Sequence, residues 1–92
     1  MNITAKHILV KGKVQGVFFR KFARQQAEDL NITGWVKNTD NGHVEIFAQA
    51  REEAITVFIE WCKRGSPRAI VENVIVEEAI PDIGIKHFLV VH

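Results

Sequence analysis

The stretch TGWVKNTDNGHVEIFAQA, residues 33–50, decides the fold. Trp35 and Val36 open a β-prone run that ends at Asp40-Asn41-Gly42, where Asn and Gly accept a positive φ at little cost. Beyond that turn Val44, Ile46, Ala48 and Ala50 alternate with Glu45, Phe47 and Gln49, the period of a strand with one buried face. Residues 33–50 therefore read as a β-hairpin. Upstream, Phe19, Phe22, Ala23, Ala27 and Leu30 recur at three-to-four spacing and predict a helix over 19–30, with Asn31 and Gly34 as its breakers. Downstream, Ala54, Val57, Phe58, Trp61 and Cys62 predict a second helix over 52–64. Gly65-Ser66-Pro67 stops it, because proline cannot continue a helix.

Further out, Ile8 to Lys11 reads as a first strand ending at Gly12, and the β-branched run Ile70 to Val76 as a fourth. Pro81-Asp82-Ile83-Gly84 turns the chain, and Phe88 to Val91 adds a short last strand. The order β-α-β-β-α-β with an extra C-terminal strand is the split βαβ, or ferredoxin-like, α+β pattern. It predicts a sheet antiparallel overall with both helices on one face. Strands one and two run parallel across a right-handed crossover, with strand three between them. Their C-terminal ends open on one rim, so the loops Gly12–Phe19 and Asn38–Gly42 meet there. A site built from both suits a compact ligand.

At 92 residues the chain reads as one domain, residues 1–92. Twelve Lys plus Arg balance eleven Asp plus Glu to a net charge of +1, which excludes a chain-wide basic field for nucleic acid. Cys62 alone supports neither an internal disulfide framework nor a multi-cysteine zinc site. No apolar run approaches the ~20 residues of a membrane span, and the start lacks a secretory hydrophobic region. A cytoplasmic monomer that engages neither membrane nor nucleic acid is the expectation.

The loop Gly12-Lys13-Val14-Gln15-Gly16-Val17-Phe18-Phe19-Arg20 joins a strand to the start of a helix. Its glycines permit curvature that turns successive backbone N–H groups inward, and N–H groups at a helix start form a natural anion site. Arg20 stands in the first helical turn, where a cation opposes the macrodipole. A bound anion between the two would reconcile them, and the guanidinium can hold two phosphate oxygens. A plain turn followed by a surface arginine is the alternative. No Gly-Lys-Ser/Thr follows, so the loop is not a Walker A motif.

Gly-x-Val-Gln-Gly-Val-x-Phe-Arg at 12–20 resembles the signature of the acylphosphatases. Two further stretches, 34–45 (GWVKNTDNGHVE) and 65–72 (GSPRAIVE), are similar to that family's later segments and occur in the same order. The resemblance implies a hydrolase that cleaves the carboxyl–phosphate bond of acyl phosphates to carboxylate and inorganic phosphate, with phosphate also an inhibitor. It places the phosphate-binding arginine at Arg20 and the water-orienting asparagine at Asn38. It makes Gln15, Gly16, Val17, Phe18, Phe19 and Arg20 the backbone cradle, and it implies no cofactor and no metal. Two departures stand out. Asn41 occupies a position where many relatives carry Asp, and the ending Phe88-Leu89-Val90-Val91-His92 lacks the basic or aromatic polar residue common there. The second leaves open how the C-terminus contacts the phosphate loop.

Other residues read as structural. His7, His43, His87 and His92 have no metal-ligand spacing, Cys62 and both tryptophans, Trp35 and Trp61, fit the core, and Arg68 fits the surface. A ferredoxin-like RNA-binding module would need an RNP-type aromatic motif, which no Phe-containing stretch supplies. A non-catalytic acylphosphatase-like domain that binds a small anion is the nearer alternative.

Overall fold

The computed structural model describes residues 2–92. Seven elements follow in order: β1 (Thr4–Lys13), α1 (Phe19–Asp29), β2 (Thr33–Asn38), β3 (Val44–Ala50), α2 (Glu52–Arg64), β4 (Ile70–Ala79) and β5 (Phe88–Val91). They form one five-stranded sheet in the order β4-β1-β3-β2-β5. The pairs β1–β3, β1–β4 and β2–β3 are antiparallel, and β5 joins the edge of β2 in parallel. The ferredoxin-like core and its extra strand are therefore as expected, and β5 makes the sheet mixed.

The period-two pattern of β3 sets its register. Val44, Ile46 and Ala48 face the helices opposite Val10, Ile8 and Lys6 of β1 and Asn38, Val36 and Gly34 of β2. Onto them α1 lays Phe19, Ala23 and Ala27, and α2 lays Ile55, Phe58, Trp61 and Cys62. Phe19 meets Trp61 at 5.1 Å between ring centroids, and Phe58 meets Phe88 edge-on at 6.0 Å. Aromatic contacts thus join both helices and β5 in one core.

Several boundaries differ from the sequence reading. Strand β1 begins at Thr4 and continues past Gly12: a bulge between Lys11 and Gly12 shifts the register, after which Gly12 and Lys13 still pair with Val71 and Ile70. The expected first loop therefore shrinks to residues 14–18. Strand β4 likewise extends to Ala79. Both extensions are mostly polar residues, among them the ion-paired Lys6 and Glu78, so they lack the apolar alternation by which a strand is read. Trp35 is not in the helix-side core. It lies half-buried on the opposite face, stacked on Phe47 at 6.3 Å with the Lys37 ammonium 5.3 Å from its ring centroid. Nearby, a His7 hydrogen bond and the Lys37 charge hold the Glu45 carboxyl below its usual range, against the opposing effect of burial.

Gly34 is also not a helix stop. The chain leaves α1 through Asn31, a left-handed residue at φ 57°, and Ile32 N–H donates to Ala27 O at 2.8 Å. Gly34 sits inside β2 at φ 148°, where a Cβ would stand 1.8 Å from Phe47 O of the neighbouring strand. Replacing Gly34 with alanine thus forces β2 and β3 apart at the sheet centre. Gly34→Ala is expected to lower the unfolding free energy by about 3 kcal/mol or more, read from the urea midpoint.

Candidate functional site

The two helices treat their N-termini differently. Helix α2 carries Glu52 and Glu53 in its first turn and Lys63 and Arg64 in its last, matching the macrodipole at both ends. Neither helix has a side-chain cap, but α1 also has no acidic residue in its first turn; Arg20 and Lys21 stand there instead. Its hydrogen bonding starts with Phe22 N–H to Phe18 O at 3.1 Å, so the preceding N–H groups have no acceptor within the helix. The residue ahead of the helix, Phe18, adopts φ 60°, ψ 26°, a conformation costly for a side chain of its size, and Gly16 before it has φ 75°. Two left-handed residues so close together curl the backbone into a tight loop. This combination of curved backbone, uncapped helix and local cations is electropositive and shaped for a small anion.

Packing on every side holds the loop in place. Val14 and Phe19 are buried at its two ends. Between them, Ser66 from the α2–β4 connection is buried and its hydroxyl donates to Val17 O at 2.8 Å. On the opposite flank the Gln15 amide donates to Thr39 O and to His43 O, both at 2.8 Å. Gln15 thereby ties the loop to the β2–β3 turn that follows Asn38. The same turn is closed by Thr39 N–H to His43 O at 2.9 Å and His43 N–H to Thr39 Oγ1 at 3.0 Å.

A cavity of about 590 Å³ opens over the N-terminus of α1, bordered by Gly16, Phe18, Phe19 and Arg20 from the loop and by Asn38 from the end of β2. A second, of about 290 Å³, shares Arg20, Asn38 and His92 with the first. The expected pair Arg20 and Asn38 thus meets at the junction of both spaces, as the parallel strand ends on one rim require. Arg20 Nη1 donates to Val91 O of β5 at 2.9 Å. The C-terminal strand therefore touches the site through a backbone carbonyl, and no particular terminal side chain is required for it.

Gln15 and Val17, expected to contribute backbone N–H groups to the cradle, do not border the larger cavity; the Gln15 side-chain amide and the Val17 carbonyl oxygen anchor the loop. Val14, Lys21, Arg24, Val90 and His92 do border it. Arg24 was discoverable, since it lies four residues after Arg20 on the same helical face. Val90 and His92 were not, because nothing local places β5 beside β2. Cys62 is fully buried and burial pushes its thiol pKa strongly upward, so it offers no thiolate. Arg68 is exposed, as expected.

The acylphosphatase family model matches residues 6–90. The acylphosphatase of Coxiella burnetii (strain RSA 493 / Nine Mile phase I) is 48% identical over 79 residues, 86% of this chain and 83% of that one. The crystal structure of acylphosphatase from Bacillus subtilis superposes with a TM-score of 0.92 at 40% identity, covering 99% of this chain and 100% of the other. A full-length HypF in the phosphate- and nucleotide-bound form matches with a TM-score of 0.84 at 29% identity, where the same fold covers 12% of that chain.

The two carbonyls that Gln15 satisfies provide a test of the loop's anchoring. Gln15→Ala is expected to cost about 1–2 kcal/mol in urea denaturation. Gln15→Glu should cost more, because an ionised carboxylate would set acceptors against acceptors.

Proposed function

The chain belongs to the acylphosphatase family, enzymes that hydrolyse the carboxyl–phosphate bond of acyl phosphates, and on that premise we propose how its residues divide the work. Arg20 and the backbone N–H groups of the 15–20 loop bind the phosphoryl group, and Asn38 orients the attacking water. The observation that carries this reading is that Arg20 and Asn38, from different elements, border the same two cavities beside an uncapped helix start.

The reaction needs little beyond these groups. The leaving carboxylate has a conjugate-acid pKa near ~4, so it departs without a proton donor. Phosphoryl transfer passes through a largely dissociative transition state, in which positioning and stabilisation of charge on the phosphoryl oxygens supply most of the catalysis. The Arg20 guanidinium and the loop N–H groups supply that stabilisation in a preset geometry. The hydrogen bond from Arg20 to Val91 O fixes one Nη while leaving the rest of the guanidinium fork for the ligand. The Asn38 amide oxygen accepts a hydrogen bond from the water and aims it in line, and the water's proton passes to the substrate's own phosphate. No histidine, carboxylate, metal or cofactor has a role in this sequence. The same reading makes the protein a single-domain, cytoplasmic monomer whose partners are an acyl phosphate and inorganic phosphate.

Hydrolysis of benzoyl phosphate with and without a chelator tests the activity, and inorganic phosphate should compete with the substrate. Asn38→Ala is expected to lower kcat by about 100-fold or more while phosphate still inhibits at a similar concentration. Near-full activity in that variant would overturn the mechanism. Arg20→Ala should abolish turnover and weaken phosphate inhibition by about tenfold or more, the loss of a charge-assisted contact. Phosphate binding without turnover in the unmodified protein would instead mark a non-catalytic anion-binding domain.

A further inference from the structure

The 590 Å³ cavity is larger than a phosphoryl group requires, and the lysine and arginine side chains on its border face no acidic side chain there. Besides Arg20 it is bordered by Lys21 and Arg24, and by no Asp or Glu side chain. The whole chain is nearly neutral, so this concentration of cations is local. One arginine and a helix N-terminus already answer a phosphate dianion, which leaves two cations beyond the phosphoryl position.

We propose that the preferred substrates are acyl phosphates whose acyl chain ends in a second anionic group, a carboxylate, held by Arg24 and Lys21. The inference rests on the phosphoryl placement proposed above. Arg24 lies one helical turn beyond Arg20 on the same face, about 6 Å further along the axis. A short acyl chain spans that separation, and Phe18 and Val90 supply apolar surface for its methylenes. Phe18 is 68% exposed, so its ring is available for such contact. Neither cation is held in a buried or close ion pair. Arg24 pairs only with Glu28 at 3.2 Å, an exposed i,i+4 contact of the weakly held kind, and Lys21 makes no ion pair among the described residues.

The test compares two substrates of equal carbon number, succinyl phosphate with its free carboxylate and butyryl phosphate without one. The unmodified enzyme should show a kcat/KM ratio of about tenfold in favour of succinyl phosphate, as a charge-assisted contact would give. That ratio should fall several-fold in Arg24→Gln and in Lys21→Gln, and approach unity in the double variant. Lys63→Gln removes the same charge from an exposed position on α2 away from the cavity and should leave the ratio as it was. No preference for succinyl phosphate would overturn the proposal. So would equal losses on both substrates, which signify long-range steering of the phosphate. An equal change of ratio in Lys63→Gln would overturn it as a net-charge effect. If the enzyme hydrolyses neither substrate, the functional reading itself fails and this inference fails with it.

Discussion

The first turn of an α-helix is electropositive, and in this protein the two helices answer that charge in opposite ways. Helix α2 lacks a capping side chain, but it sets the carboxylates of Glu52 and Glu53 against its positive end. Helix α1 begins without a capping side chain, behind a left-handed phenylalanine, and adds cations where the dipole is already positive. Alone, such a start is unfavourable, by about 0.3–1 kcal/mol for a charge of the wrong sign. It becomes favourable only with an anion in place. On the proposed reading that anion is the phosphoryl group of the substrate.

Unfavourable local structure persists only where its surroundings hold it. Here the supports come from four directions. Buried Val14 and Phe19 fasten the loop's ends to the core, Ser66 reaches up from the α2–β4 connection, Gln15 bridges to the β2–β3 turn, and Val91 of β5 holds Arg20. Each support connects the loop to a different part of the fold. The ferredoxin-like order brings these elements to one rim because β1 and β2 run parallel with β3 between them. The last strand, in parallel beside β2, makes the site a joint product of the chain's beginning, middle and end.

Periodicity made most of this fold legible. The three-to-four spacing from Phe19 to Leu30 and from Ala54 to Cys62 marks the buried stripes of both helices, and the alternation from Val44 to Ala50 sets the register of β3. Elements bound by backbone pairing without apolar alternation were read short, as in β1 before Ile8 and after Lys11, and in β4 after Val76. Gly34 misled because a glycine required for close strand approach has the same sequence signature as a helix breaker. The meeting of Arg20 and Asn38 on one rim was legible because each lies in a local motif at the end of a strand or the start of a helix that the element order brings together. The side-chain role of Gln15, the contribution of Ser66 and the place of β5 depend on contacts between residues 24 to 71 positions apart, which no local pattern encodes.

The central claim is that the uncapped start of α1 and its loop hold the phosphoryl group through backbone N–H groups. Titrating ¹⁵N-labelled protein with inorganic phosphate and following the amide resonances tests it directly. The account predicts saturable shifts largest at residues 15–20, with the Arg20 side-chain signals moving in step. Saturable shifts centred elsewhere, or a loop whose amides do not respond to phosphate, would contradict it.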